Sequence, residues 1–295
     1  MSGKKQGLVI GCGYLGKRLA DRQHQAGTQV WATTRSEETA LDFASRGWEP
    51  LLADVTQPVS LKQLPEVEVA VYCVGFDPTS GSDRHTVYAD GLSHTLENLP
   101  QSCKRFVLIS TTGVYGDAGG EEVDEETPCQ PMRLGGQAFL EAENRLRQHP
   151  HWGKHWGKRG VILRLAGIYG PGRIPRAADI QAGKPIPAPA QGSLNLIHVE
   201  DACQAVELAW EADAVSPVYI VADGQPVARR EYYREVARLL KAPEPTFETP
   251  PADSPAAQRA GADRRMNAER IVRELGFAPK YPSYREGLAA IVGRS

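Results

Sequence analysis

Residues 8–20, Leu-Val-Ile-Gly-Cys-Gly-Tyr-Leu-Gly-Lys-Arg-Leu-Ala, decide the fold of this chain. The stretch starts with an apolar run typical of a buried strand, continues as Gly-x-Gly-x-x-Gly, and ends with apolar residues at helical spacing. Gly11 would allow the tight turn off the strand, Gly13 would let the backbone approach a pyrophosphate, and Gly16 would let the helix pack close to the sheet. The stretch therefore predicts a dinucleotide site formed by Gly11, Cys12, Gly13, Tyr14, Leu15 and Gly16. A strand-to-helix turn without a ligand is the alternative.

Length and composition limit the class of protein. The 295 residues suffice for one large α/β domain with a small appendage, and 41% hydrophobic with 24% charged residues is ordinary for a globular protein. A net charge of −2 argues against nucleic acid as a partner. Five cysteines without a Cys-x-x-Cys motif predict reduced thiols and no metal site. No stretch is long enough to span a membrane, and no signal peptide is recognisable, so we expect a cytoplasmic monomer or homodimer.

The end of the second predicted strand, Thr28–Arg35, bears on the choice of cofactor. This position normally meets the adenosine ribose, where an acid selects NAD and an arginine accepts the 2′-phosphate of NADP. No acid precedes Glu37 here, and Thr34 and Arg35 offer a hydroxyl and a guanidinium. The sequence therefore favours NADP, with NAD possible. A solvated surface charge is the alternative for Arg35.

Two further strands complete the predicted cofactor site. The strand at residues 49–55 ends in Asp54 and Val55, which would meet the adenine, although Asp54 is also suited to a turn or a helix cap. The strand at residues 67–75 ends in Cys73, Val74 and Gly75, whose small size would leave room for the nicotinamide ribose. Strands alternate with helical patterns at residues 37–46 and 88–99, which predicts a parallel sheet covered by helices on both faces.

The fifth strand, residues 105–109, runs into Ser110-Thr111-Thr112-Gly113-Val114-Tyr115-Gly116. Further along lie Leu163-Arg164-Leu165-Ala166-Gly167-Ile168-Tyr169-Gly170-Pro171-Gly172 and Asn195-Leu196-Ile197-His198-Val199-Glu200-Asp201. Val218–Gly224 and Glu274–Phe277 complete the series. On these motifs the chain resembles the extended short-chain dehydrogenase/reductase family, in its NAD-dependent epimerase/dehydratase branch, over nearly its whole length.

The resemblance implies a doubly wound Rossmann domain at residues 1–170, completed by 194–224. It also implies a small C-terminal substrate region drawn from 171–193 and 225–295. Thr111 falls on the catalytic Ser/Thr of the family, with Ser110 beside the cofactor, and Asp201 falls on a structural acid. The resemblance also implies that the segment at residues 171–189 covers the substrate, where Arg173, Arg176 and Lys184 would hold a phosphate or carboxylate or stay solvated.

The chain departs from the family pattern in two ways. Its glycine motif is one residue shorter than the usual Gly-x-x-Gly-x-x-Gly, and the catalytic Tyr-x-x-x-Lys is absent, with Gly135 and Phe139 in its place. Losing this acid/base pair removes a proton transfer typically worth 10²–10⁴-fold in rate. Tyr115, Tyr169 and His198 are candidate substitutes, each with an alternative role in packing or backbone hydrogen bonding.

Two hypotheses about function remain open at this point. One is an oxidoreductase or epimerase acting on a small hydroxylated, anionic or nucleotide-linked substrate, with Thr111, Tyr115 and Tyr169 as catalytic candidates. The other is a dinucleotide-binding or redox-sensing protein without turnover. The repeat His151-Trp152-Gly153-Lys154-His155-Trp156-Gly157-Lys158 is predicted to be a surface loop.

Overall fold

The computed structural model describes residues 5–150, 159–252, 254, 256–257 and 261–293. The His-Trp-Gly-Lys repeat lies outside the described residues. The strands are β1 (Gln6–Ile10), β2 (Gln29–Thr34), β3 (Glu49–Leu52), β4 (Val69–Tyr72), β5 (Arg105–Thr111), β6 (Glu122–Val123), β7 (Gly160–Leu165), β8 (Gly167–Tyr169), β9 (Ile186–Pro187), β10 (Ser193–Leu194), β11 (Leu196–His198), β12 (Val218–Val221), β13 (Val227–Ala228), β14 (Phe247–Glu248) and β15 (Arg265–Met266).

The helices lie largely where the sequence patterns place them. They are α1 (Tyr14–Gln25), α2 (Glu37–Ser45), α3 (Gly91–Asn98), α4 (Leu134–Gln148), α5 (Ala177–Gln181), α6 (Val199–Glu211), α7 (Arg229–Leu240), α8 (Glu269–Leu275) and α9 (Tyr284–Val292). A π-helical turn at Thr86–Asp90 precedes α3, and 3₁₀ turns occupy Pro58–Gln63 and Thr112–Val114. None of the helices in the described part of the chain combines the length and apolar character needed to cross a bilayer.

A seven-stranded parallel sheet organises the fold, in the order β12-β7-β5-β4-β1-β2-β3. Parallel register is set by pairs such as Gly7 with Val30 and Gly7 with Val69. The strand order reverses between β1 and β4, and open α/β sheets bind ligands at this kind of switch point, outside the carboxyl ends of the strands. The predicted doubly wound Rossmann sheet is confirmed.

The chain packs as two compact units. Unit 1 comprises residues 1–111, 137–164 and 206–219, and unit 2 comprises residues 112–136, 165–205 and 220–295. The predicted substrate segments, 171–193 and 225–295, lie in unit 2. Unit 2 also contains 112–136, 165–170, 194–205 and 220–224, which the prediction assigned to the Rossmann domain. These segments pack with the C-terminal part of the chain, as in the Asn195 amide, which donates to the Arg264 carbonyl oxygen at 2.9 Å.

Each unit has its own apolar core. The core of unit 1 lies around the sheet and includes Leu8, Ile10, Tyr72, Phe106 and Ile162. The core of unit 2 is rich in tyrosine and contains Tyr169, Tyr232, Tyr233 and Tyr284. In unit 2 Asp201 accepts hydrogen bonds from the backbone N–H groups of Lys280 and Tyr281 at 2.7 and 3.1 Å, which fits the structural role that the resemblance implied for it.

Candidate functional site

The first candidate site is a cavity of about 760 Å³ in unit 1, at the carboxyl ends of β1 to β4. Its lining includes nine predicted cofactor contacts: Gly11, Cys12, Gly13, Thr34, Arg35, Asp54, Val55, Val74 and Gly75. Lys17, Thr33, Ser36, Thr39, Ala53, Thr56, Phe76, Asp77, Ser80 and Val87 complete the lining. The loops that follow four neighbouring strands therefore meet in one cavity at the switch point of the sheet.

The glycine loop has the geometry that its sequence predicts. Gly11 has φ +87°, and a Cβ there would stand 2.5 Å from the Val74 Cα, so only glycine fits this turn. A Cβ at Gly16 would lie 2.7 Å from the Gly11 carbonyl oxygen, as expected for a helix packed close to the sheet. Apart from Gly13 and its two chain neighbours, no heavy atom of the described residues lies within 4 Å of a Cβ placed at Gly13, so the cavity is open at the position predicted for the pyrophosphate.

One side chain from β2 and one from the residue after β4 support the loop. The Thr33 hydroxyl accepts a hydrogen bond from the Gly11 N–H at 3.0 Å, and the Cys73 thiol donates to the Gly11 carbonyl oxygen at 3.1 Å. Burial raises the pKa of the Cys12 thiol to about 12, so this cysteine stays protonated and unreactive near neutral pH.

At the adenosine end of the cavity the structure places a carboxylate that the sequence did not predict there. The Arg35 Nη2 donates to the Asp77 Oδ2 at 3.0 Å, and both side chains line the cavity. The expectation that no acid opposes Arg35 was therefore wrong. It considered only the residues around the end of β2, whereas Asp77 comes from the loop after β4 and reaches Arg35 across the switch point.

Asp54 lies at the predicted position but already takes part in a turn. Its Oδ1 accepts hydrogen bonds from the Thr56 N–H and from the Thr56 hydroxyl, both at 2.8 Å. Both the turn role and the adenine-facing position that the sequence allowed are thus compatible with the structure, and the contact with adenine stays a prediction.

Five predicted cofactor contacts do not line the cavity. Tyr14 lies under the Arg18 guanidinium, whose carbon is 4.1 Å from the ring centroid, and Leu15 is buried. Gly16 and Cys73 lie beside the carbonyl oxygen of Gly11. The fifth is Ser110, which is 4% exposed, and its hydroxyl donates to the Glu143 Oε1 at 2.7 Å. Direct contact of these residues with a cofactor stays a prediction.

Glu143 is the centre of a buried polar cluster at the end of β5. Its carboxylate is fully buried and accepts from the Arg164 Nε at 3.0 Å and Nη2 at 2.6 Å, and from the Arg147 Nη2 at 2.9 Å. Together with the Ser110 hydroxyl, these donors satisfy both carboxylate oxygens. The cluster fixes the residue directly before Thr111, the last residue of β5.

An aromatic pair includes Phe139, the residue that the resemblance aligns with the lysine of the family. Phe139 stacks on Tyr88 with ring centroids 4.0 Å apart and an interplanar angle of 25°. The Tyr88 hydroxyl accepts a hydrogen bond from the N–H of Phe76, which lines the cofactor cavity. Burial raises the pKa of Tyr88, and this effect outweighs the lowering of the pKa by the charge of the nearby Arg84. The helix position that the resemblance assigns to a cation is therefore apolar in this chain.

The tyrosines proposed as substitutes are buried in unit 2. Tyr115 is 2% exposed, and Tyr169 is fully buried with its hydroxyl directed at the Ser283 carbonyl oxygen at 3.4 Å. Burial raises the pKa of Tyr169 well above its ordinary value. The His198 Nδ1 accepts a hydrogen bond from the Glu200 N–H at 3.2 Å, which is the backbone hydrogen bond considered as its alternative role. The packing roles fit these positions, and the catalytic roles of Tyr115 and Tyr169 stay predictions.

Unit 2 contains a second cavity, of about 530 Å³, with four arginines in its lining. The lining comprises Thr112, Arg133, Gly167, Pro175, Arg176, Ile186, Pro187, Ala188, Ser193, Leu194, Asn195, Arg229, Tyr233, Ala256, Ala262 and Arg264. Among the described residues that form this lining there is no carboxylate. We call it the arginine cavity.

Backbone carbonyl oxygens hold two arginines of this cavity, whereas Arg176 pairs with the Asp179 Oδ2 at 2.9 Å. The Arg229 Nη1 donates to the Gln191 carbonyl oxygen at 2.8 Å, and Arg264 donates to the carbonyl oxygens of Gly116 and Thr112 at 2.9 and 3.1 Å. Burial lowers the pKa of both arginines, and for Arg264 the charge of Arg133 adds to this effect. Arg176 has φ 63°, a left-handed conformation that is uncommon for a residue with a side chain and frequent at functional sites.

Sequence reasoning found Arg176 but missed Arg133, Arg229 and Arg264. These three come from segments far apart in the chain, and each is an ordinary arginine in its local context. The only signal was that Arg229 and Arg264 lie in the predicted substrate region at residues 225–295, and Arg133 carried none. Lys184, which was predicted alongside Arg176, is not part of the lining, and neither is Arg173.

The strand order and the cavity at the switch point define a doubly wound Rossmann protein. The model of the NAD dependent epimerase/dehydratase family matches residues 8–222. The chain belongs to this family, and the resemblance drawn from the sequence motifs is confirmed.

Individual relatives agree with this assignment. Protein YeeZ of Escherichia coli (strain K12) is 29% identical over 286 residues, covering 94% of this chain and 97% of that protein. A functionally unknown conserved protein from Silicibacter pomeroyi has a solved structure that is similar with a TM-score of 0.78 and 28% identity over 99% of each chain. The UDP-glucose 4-epimerase of Thermotoga maritima, solved with UDP-glucose, has a TM-score of 0.81 over 98% of this chain and 97% of that one. At 18% identity that similarity shows the fold alone.

Proposed function

We propose that the chain is an oxidoreductase or epimerase that binds NAD or NADP in the cavity of unit 1. The observation that carries this proposal is the open space at Gly13, beside the left-handed turn at Gly11 and at the start of α1. A helix start with a glycine at the N-cap and no capping side chain is suited to a pyrophosphate. The preference for NADP, which rests on Arg35, stays a prediction within this proposal.

The substrate is an anionic or nucleotide-linked hydroxyl compound that binds in the arginine cavity. Support comes from the four arginines of the lining, since guanidinium groups pair with phosphate and carboxylate oxygens in a fixed bidentate geometry. Tyr233, Ile186 and Leu194 add an apolar surface that suits a ring. UDP-glucose, the ligand in the solved structure of the Thermotoga maritima epimerase, has both of these chemical features.

Each part of the chain has a definite role in this mechanism. The bound nicotinamide supplies the hydride transfer. Thr111 ends β5 at the carboxyl edge of the sheet and would hydrogen-bond the reacting oxygen. The Glu143 cluster orients Ser110 and with it the end of this strand. The arginines bind and orient the anionic part of the substrate, and positioning of this kind contributes to rate independently of acid/base catalysis.

Calorimetric titration with NAD⁺ and NADP⁺ tests cofactor binding. Gly13→Val would place a side chain where the pyrophosphate must lie, and nothing within 4 Å of its Cβ opposes the fold. We expect binding of both nucleotides to the unaltered chain and none to a folded Gly13→Val variant. Equal affinities in the two proteins would mean that the glycine loop is only a turn.

A non-catalytic dinucleotide-binding protein is the second candidate, and the Phe139–Tyr88 stack favours it because an aromatic ring lies where the resemblance expects the lysine of the acid/base pair. Oxidation of NADPH or NADH with a panel of carbonyl compounds separates the two. Turnover that falls in Thr111→Ala supports the enzyme. If the native chain is silent, gain of turnover in Gly135→Tyr with Phe139→Lys would show an intact substrate site. A folded, cofactor-bound but silent double variant would support the binding protein. The predicted cytoplasmic location and monomeric or homodimeric state stay predictions.

A further inference from the structure

The Arg35–Asp77 ion pair lies at the end of the cavity where the adenosine ribose would bind. The two side chains come from loops after different strands, β2 and β4, and their contact at 3.0 Å crosses the switch point. Arg35 is 51% exposed and Asp77 is 41% exposed, so both are accessible to a ligand in the cavity.

Asp77 is the better fixed member of the pair. Its Oδ1 accepts hydrogen bonds from the Thr79 N–H at 2.9 Å and from the Thr79 hydroxyl at 2.6 Å, while the Ser80 hydroxyl donates to its carbonyl oxygen at 2.8 Å. The hydrogen bonds from Thr79, and then the Arg35 guanidinium, lower the pKa of Asp77, so the carboxylate is charged at neutral pH. Asp77 is therefore held in place by its own turn, and the contact forms because the long Arg35 side chain reaches the carboxylate.

NAD and NADP differ only by the phosphate on the 2′-oxygen of the adenosine ribose. At the end of β2 an arginine binds that phosphate. Here the arginine already has an anionic partner, and a phosphate could bind Arg35 only by displacing the Asp77 carboxylate or by sharing the guanidinium with it. Sharing would bring two anions within a few ångströms of each other. NAD carries no group that competes for Arg35.

We propose that Asp77 is a specificity-determining residue, which lowers the affinity for NADP relative to NAD by holding Arg35. This proposal rests on the proposed binding of a dinucleotide in the cavity. Asp77 would act through Arg35 and not through the cofactor itself, so its effect should vanish when Arg35 is removed.

The test is a double-mutant cycle with Arg35→Ala, Asp77→Asn and the double variant, titrated with NAD⁺ and NADP⁺ by calorimetry. Asparagine keeps an oxygen for the Thr79 hydrogen bonds and replaces the charged oxygen that accepts from Arg35 by an uncharged NH₂ group. In Asp77→Asn we expect the affinity for NADP⁺ to rise at least about fivefold and the affinity for NAD⁺ to change by less than about twofold. In the Arg35→Ala background the same change should alter NADP⁺ binding by less than about twofold.

Asp54→Asn is the matched control, since Asp54 lines the same cavity and caps a similar turn with Thr56. Asp54 is predicted to meet the adenine, which NAD and NADP share. Its effect should be the same for both nucleotides. An unchanged NADP⁺-to-NAD⁺ affinity ratio in Asp77→Asn overturns the proposal. A gain of equal size in the Arg35→Ala background also overturns it, because Asp77 would then repel the phosphate directly. Absence of binding of either nucleotide to all four proteins would instead refute the proposed function, and this inference with it.

Discussion

Replacing Glu143 by glutamine should destabilise unit 1 strongly, because it removes one charge of a buried pair. Glu143 is fully buried, and Arg164, its bidentate partner, is 3% exposed. In Glu143→Gln the amide NH₂ faces guanidinium N–H donors, so one arginine charge stays buried without an opposite charge. Breaking a buried pair in this way costs about 3–5 kcal/mol, which is a large part of the stability of a typical domain.

Urea unfolding, followed by circular dichroism and tryptophan fluorescence, measures this loss as a lower free energy of unfolding. Glu141→Gln is the matched control two residues earlier in α4. Glu141 is 43% exposed and bonds the Arg145 Nε at 3.0 Å, so its loss should cost about 0.5 kcal/mol or less. A loss below about 1 kcal/mol in Glu143→Gln, or an equal loss in both variants, would refute the reasoning.

A second variant separates charge from shape. In Glu143→Leu with Arg164→Met both charges leave together, and apolar residues of similar volume can replace a buried pair at little net cost. The Ser110 hydroxyl and Arg147 lose one acceptor each, so we expect a loss of about 1–2 kcal/mol, smaller than that of Glu143→Gln. If the double variant is the less stable of the two, shape and hydrogen bonding, and not the unpaired charge, dominate at this site.

Three further predictions follow from single residues. Gly11→Ala should lose about 2 kcal/mol or more in urea unfolding, because of its positive φ and its contact with Val74, whereas Gly13→Ala should lose about 1 kcal/mol or less; equal losses would contradict this. Burial raises the pKa of Asp223 from 3.8 to about 7, so from pH 4 to pH 7 the unfolded state releases a proton that the folded state retains, and folding weakens as pH rises. The stability of Asp223→Asn relative to the native chain should therefore rise from pH 4 to pH 7, by roughly 4 kcal/mol at most. A difference in melting temperature between the two proteins that stays constant from pH 4 to pH 7 would be contrary to expectation. Alkylation of Cys12 by iodoacetamide at pH 8, followed by mass spectrometry, should be at least about a hundredfold slower than that of a free thiol, and rapid labelling of the folded protein would disprove the burial argument.

Local patterns sufficed for the parts of the fold that depend on neighbours in sequence. The glycine loop, α1 and the central strands follow from apolar periodicity and from the special backbone requirement of Gly11, all of which can be read within about twenty residues. The cavity lining at Thr34, Asp54 and Val74 also follows, because the carboxyl ends of parallel strands share one edge of the sheet.

Contacts made by side chains from separate loops could not be read in this way. Asp77 is 42 residues from Arg35, and its contact depends on the turn that Thr79 stabilises after β4. Tyr169 was a catalytic candidate from the sequence, and it is the last residue of β8. Its ring is nevertheless enclosed in the core of unit 2, where it contacts the ring of His198. Strand position determines the edge of the sheet at which a residue lies, and tertiary packing then determines whether its side chain is accessible.

The two cavities differ in how their cations are balanced, and this difference bears on what each can bind. In the cofactor cavity Arg35 contacts Asp77 and Lys17 lies 3.3 Å from Asp42, so an incoming anion must compete with a carboxylate. In the arginine cavity Arg176 also has a carboxylate partner, Asp179 at 2.9 Å, but Arg264 donates to neutral carbonyl oxygens. Burial together with Arg133 lowers the pKa of Arg264 despite the charges of Asp117 and Asp263. An anion bound there would replace lost hydration and relieve the repulsion between two guanidinium groups, so it gains more than an anion beside an existing ion pair. The larger electrostatic contribution to ligand binding therefore belongs to the arginine cavity, and binding there should weaken more steeply with added salt than binding of NAD in unit 1.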